Sequence, residues 1–186
     1  MTSRSGVKES EYTRYPLSSL LIYNGTTVLH YLFGGFGIML GYNFSWPASL
    51  LGVLYIALAF IQMYILMPLL VCPNCVYYKL EDSLCISGLN IVAKKVSPEG
   101  SLKDFAKRGE GLLCHNHMYM GAKIVPVLAM LPGLFLNFSM ALLVIFLVVV
   151  GLLVFRIFVI FLKVACVHCR AKDLCPNAKS MGLSGR

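Results

Sequence analysis

Long apolar runs broken by short polar segments set the layout of this chain. Apolar residues dominate from about Pro16 to Tyr42, from Pro47 to Val71, from Tyr119 to Leu136 and from Met140 to Ala165. A helix rises about 1.5 Å per residue, so a hydrocarbon layer roughly 30 Å thick takes about 20 apolar residues to cross. The pattern predicts an all-α integral membrane protein with four transmembrane helices. The third run is short and carries Pro126 and Pro132. Proline kinks a helix, which a membrane tolerates when neighbours satisfy the freed carbonyls; a re-entrant segment is the competing reading.

These runs divide the chain into an N-terminal tail (1–15), a first hairpin (16–71), a loop subdomain containing Cys and His (72–118), a second hairpin (119–165) and a Cys-rich tail (166–186). The first apolar run is too long for a signal peptide and lacks a small-residue cleavage site, so no cleaved leader is expected. Composition agrees with membrane residence: 58% of residues are hydrophobic, above the range of soluble domains.

Charge adds an orientation. Arg4, Lys8 and Arg14 precede the first run, six Lys and Arg lie between Lys79 and Arg108, and Arg170, Lys172, Lys179 and Arg186 follow the fourth. The connections near Tyr42–Pro47 and Leu136–Ser139 carry no charge. The positive-inside rule then places both termini and the central loop in the cytoplasm of an inner, cytoplasmic membrane. The net charge of +8 belongs to one surface, suited to anionic lipid heads. Nucleic acid is not an expected partner, because no recognition module is present.

The sequence also repeats. Asn43-Phe44-Ser45 recurs as Asn137-Phe138-Ser139, and Cys72-x-x-Cys75 recurs as Cys166-x-x-Cys169. The tripeptide and the first cysteine are 29 positions apart in both copies. Membrane thickness fixes a helix length but not a tripeptide at one end and a cysteine pair at the other. The expectation is two duplicated hairpins related by an axis along the membrane normal, with Gln62 equivalent to Arg156.

All seven cysteines (Cys72, Cys75, Cys85, Cys114, Cys166, Cys169 and Cys175) fall on the inferred cytoplasmic side, with His115, His117 and His168. A reducing compartment disfavours disulfides, so the set reads as metal binding or redox chemistry. Cys-x-x-Cys lets two thiolates grip one ion, and two such pairs at matched helix ends point to a shared site of Cys72, Cys75, Cys166 and Cys169. Cys85, Cys114 and Cys175 with His115, His117 or His168 would then make a second site. A different partition gives each pair its own third cysteine, Cys85 or Cys175, and the sequence leaves both open. Thiolates of this kind select zinc, iron or an iron–sulfur cluster. Zinc stands slightly ahead, because the closely spaced cysteine run of bacterial ferredoxins is missing. Plain packing of thiols at an interface is the alternative without chemistry.

Within the spans, Arg156, Gln62, Tyr23 and Asn24 fall at similar depth and outline a pocket for a quinone or a lipid head group. The competing reading has Arg156 snorkelling to the interface. His30 is read as a buried histidine bonded to a carbonyl, ahead of a haem ligand or a proton relay. Gly37 and Gly41 form a Gly-x-x-x-Gly pair for close helix packing, within the chain or between copies of a homo-oligomer.

No catalytic signature appears in the 186 residues, so a membrane subunit is expected rather than a stand-alone enzyme. The functional expectation is a metal–thiolate centre on the cytoplasmic face, exchanging electrons between a soluble redox partner, or another membrane subunit, and a membrane carrier. One alternative is a zinc-stabilised, non-redox scaffold that binds a partner or lipid. Metal-ion transport is a weaker one, since no cysteine or acid lies within the spans to pass an ion along.

Overall fold

The computed structural model describes residues 11–107, 110 and 114–183. Arg4, Lys8, Arg108 and Arg186, and with them most of the 1–15 tail, lie outside the described residues. Every regular element among those described is helical.

The first helix, α1 (Leu17–Gly41), turns back through Asn43 and Phe44 into α2 (Trp46–Phe60). Pro47 sits in the first turn of α2, where its missing N–H costs nothing. The helix then widens to π pitch over Ile61–Val71 and ends in a 3₁₀ turn, Cys72–Asn74. Three short helices follow: α3 (Val76–Lys79), α4 (Leu89–Val96) and α5 (Leu102–Lys107). Then come α6 (His115–Leu136) and α7 (Met140–Phe155), the latter widening to π pitch over Arg156–Ala165, and a short α8 (Pro176–Ser180).

Three helices are long and apolar enough to cross a membrane: Trp46–Asn74, His115–Leu136 and Met140–Ala165. The α1 helix is not among them, although it has 25 residues. Asn24, Thr26, Thr27, His30 and its five glycines dilute the apolar run. This helix packs against α2, α6 and α7 and buries Tyr23, Thr27, His30 and Tyr31 toward them. The outer faces of the other three carry exposed Leu54, Leu58, Leu128 and Val144, as a surface facing hydrocarbon would.

Small residues set the helix spacing. A Cβ on Gly133 of α6 would lie 2.8 Å from the carbonyl oxygen and 2.9 Å from the Cα of Gly41 in α1. Backbone meets backbone there, so Gly41 of the Gly-x-x-x-Gly pair serves packing within the chain. Gly133→Ala is expected to lower stability by about 1–3 kcal/mol in thermal unfolding in detergent. Gly151→Ala, where an added Cβ has nothing within 4 Å, is the control.

The prolines of α6 are accommodated as well. Pro126 cannot bond the Ala122 carbonyl one turn back, and the Tyr55 hydroxyl donates to that oxygen at 2.7 Å. His30 Nε2 lies 3.0 Å from the Lys123 carbonyl oxygen, consistent with a structural histidine.

The two halves match in part. In the frame that aligns Cys72 with Cys166, α2 and α7 begin at equivalent residues, Trp46 and Met140, and both π segments end just before their cysteine. The turns differ. Asn43 and Phe44 are left-handed (φ 53 and 51), whereas Asn137 has φ −136. Ser139 caps α7 by accepting the Leu142 N–H at 3.1 Å, while Ser45 makes no side-chain cap on α2.

Candidate functional site

The site is built where the π segments end. Each Cys-x-x-Cys closes as one turn, with Cys75 N–H donating to the Cys72 carbonyl at 3.1 Å and Cys169 N–H to that of Cys166 at 3.3 Å. The Cys166 N–H itself reaches back five residues to Phe161, at 3.0 Å. The wider pitch thus carries through to the cysteine and sets its azimuth on the helix end.

Cys85 comes from the central loop. Buried Asn90 holds it there: its Oδ1 accepts the Cys85 N–H at 3.1 Å and its Nδ2 donates to the Ser83 carbonyl at 2.9 Å. Cys175 stands at the N-cap of α8. These segments enclose a cavity of about 170 Å³ whose wall includes Cys72, Cys75, Cys85, Cys166, Cys169, Cys175 and His115.

Cys114, His117 and His168 are not in that wall. The sulfur of Cys114 caps α6 by accepting the His117 N–H at 3.4 Å. His168 stacks on Tyr12 with ring centroids 4.5 Å apart. The structure therefore gathers the four repeat-matched cysteines with Cys85, Cys175 and His115, and leaves Cys114, His117 and His168 at the periphery. Among the described residues, no three His, Cys, Asp or Glu side chains stand close enough together to hold a metal ion.

Sequence reasoning missed two tyrosines in this wall. The Tyr15 hydroxyl donates to the Ala165 carbonyl at the end of a π segment, and the Tyr77 hydroxyl donates to the Tyr12 carbonyl at 2.7 Å. Burial, and after it the nearby Cys169, pushes both phenols above their ordinary range. Both thus stay protonated as donors. The signal available was their position beside the cysteines, Tyr15 just before the first apolar run and Tyr77 just after Cys75. Tyr15→Phe is expected to cost about 1 kcal/mol in denaturant unfolding at neutral pH. The folded-state value lies above the ordinary 10.0, so this contribution is complete below pH 10 and shrinks as pH rises further.

The polar group in the bundle is separated from this cavity by rings. The Arg156 guanidinium lies 4.2 Å from the Tyr23 ring centroid, 5.5 Å from Tyr119 and 5.4 Å from Phe161, and all three rings line the cavity. Arg156 is 2% exposed, so it does not snorkel. It donates to the Tyr119 hydroxyl at 2.6 Å, to the Tyr23 carbonyl at 3.2 Å and to Thr27 Oγ1.

The other residues of the expected pocket go elsewhere. Asn24 donates to the Leu20 and Ser87 carbonyls and accepts from the Tyr64 hydroxyl. Gln62 is buried in the α2–α6 wall with neither amide atom hydrogen-bonded among the described residues. Lys123, also buried, holds its ammonium 3.9 Å from the Tyr31 ring centroid. No family model matches this chain, and no curated protein or solved structure matches it.

Proposed function

We propose that this chain is a four-span protein of an inner, cytoplasmic membrane, built from two duplicated hairpins, that carries a metal–thiolate centre at its cytoplasmic end. The observation that carries the reading is the single cavity walled by six of the seven cysteines, drawn from both Cys-x-x-Cys turns, the central loop and the tail. Plain packing gives no reason for thiols distant in sequence to share one wall. Soft thiolate donors suit zinc or iron. Because no three ligands among the described residues are gathered in ion-binding geometry, binding is coupled to a closing of these turns around the ion.

In this reading the first helix is the fourth span, its polar residues turned toward the other three. The basic termini and loop face the cytoplasm, where they hold anionic lipid and receive a soluble redox partner or a further membrane subunit. The centre then passes electrons between that partner and a carrier in the membrane. A zinc clamp without redox chemistry is the second reading. It is favoured by the make-up of the cavity wall, whose tail and loop are mostly turns and short helices that a structural ion would fasten together.

Anaerobic purification followed by metal analysis and a visible spectrum separates the two. Iron with charge-transfer absorption supports electron transfer, and colourless stoichiometric zinc supports the clamp. A preparation with neither metal, under conditions that preserve the fold, rejects both.

A further inference from the structure

A second cavity, of about 700 Å³, lies between α2 and α6. Small-molecule sites commonly span about 300–1,000 Å³ and place a few polar groups on apolar walls. The wall here includes Tyr55, Leu58, Gln62, Leu66, Ala122 and Val125. Leu58 and Val125 are exposed, so the groove opens sideways, on the side that a membrane would fill with acyl chains.

Gln62 is what makes this groove unlike an ordinary lipid-facing seam. It is 6% exposed, and neither its Nε2 nor its Oε1 has a hydrogen-bond partner among the described residues. A buried amide left unmet at both atoms is costly and calls for a partner. Two further orphans neighbour residues of this wall, one packed on Tyr55 and one next in sequence to Ala122. The Tyr31 hydroxyl and the Lys123 ammonium also lack hydrogen-bond partners among the described residues. The Tyr31 ring packs edge-on against Tyr55 of the groove, at 6.4 Å between centroids.

Depth narrows the ligand. Gln62 precedes Cys72 by ten residues, about two turns of the π-pitched stretch Ile61–Val71, and so by less than the ~15 Å that ten α-helical residues span. That still sets the amide inside the apolar span and away from the interface where phospholipid head groups stay, while an acyl tail offers an amide nothing. A neutral ring oxygen on an apolar body satisfies both conditions. The amide also presents a donor for a carbonyl and an acceptor for a hydroxyl, so it matches an oxidised and a reduced ring equally.

We propose that the α2–α6 groove binds an isoprenoid quinone, with Gln62 holding its ring oxygen. This deepens the electron-transfer reading and rests on it for the ligand's role, but the binding itself is separable. The test is equilibrium binding of decylubiquinone to the purified full chain in detergent. About one quinone per chain is expected, with affinity reduced at least about tenfold in Gln62→Leu and in Leu58→Trp, which fills the exposed mouth of the groove. Gln62→Leu removes a buried orphan, so it should melt no lower than the wild type yet lose the quinone-induced rise in Tm. Equal binding by all three proteins, no saturable binding by the wild type, or displacement of bound phospholipid only would overturn the assignment. Quinone binding in a protein without metal keeps the groove and removes the electron-transfer reading; a redox-active metal without quinone binding does the reverse.

Discussion

Replacing Cys72 and Cys166 together with serine is expected to strip bound metal from the anaerobically purified protein to about a tenth of the wild-type content or less. Serine is a poor ligand for zinc or iron beside thiolates, and the two positions directly follow the two π-pitched segments and both line the cavity. Loss of one ligand from each turn leaves neither pair able to chelate. Cys114→Ser supplies the contrast. Its sulfur caps α6 and is absent from the cavity wall, so metal content is expected to stay at the wild-type level. Cys85→Ser and Cys175→Ser, read by the same metal analysis, then report which third ligands join the pairs. Unchanged metal in the double variant would remove the shared centre.

The second large effect concerns Arg156. Arg156→Leu is expected to lower stability by about 2–4 kcal/mol, because it removes the guanidinium's contacts with the Tyr119 hydroxyl, the Tyr23 carbonyl and Thr27 in a buried setting. The loss stays below the sum of three charge-assisted bonds, since Thr27 still donates to the Tyr23 carbonyl and the substitution relieves the cost of burying a cation. Arg156→Lys is expected to recover little, because an ammonium lacks the planar fork that serves three acceptors at once. Thermal unfolding in detergent, scored by helical circular dichroism, reads both. A leucine variant as stable as the wild type would mean that the three contacts carry no net weight.

The apolar runs made much of this architecture readable in the sequence. Membrane thickness constrains helix length strongly, so the extents of α2 with its π extension and of α7, and the C-terminal end of α6, follow from composition; α6 begins at His115, four residues before the apolar run at Tyr119, because its first turn is polar and capped by Cys114. The α1 helix was harder to read, because its polar residues and glycines satisfy partners on three other helices that only the assembled bundle supplies. The cysteine gathering was legible through spacing, since a repeated Cys-x-x-Cys after helices of equal length delivers both pairs to one end. Its membership was not. That Cys85 joins the wall depends on a turn held by Asn90, and the wall itself is tied by Tyr15 and Tyr77, whose hydroxyls donate to backbone carbonyls distant in sequence. The expected polar pocket also split for a tertiary reason. Arg156 and Tyr23 meet across the bundle, Asn24 turns to the central loop, and Gln62 faces the seam between α2 and α6. Equal depth in the membrane does not imply a shared azimuth.

X-ray absorption at the metal edge of anaerobically purified protein tests for the metal–thiolate centre itself, because it reads the atoms around the ion rather than a consequence of them. A first shell dominated by sulfur at about 2.3 Å, with three or four scatterers per ion, is the predicted result. A first shell of oxygen and nitrogen only, or a folded protein with no bound metal to measure, would contradict it.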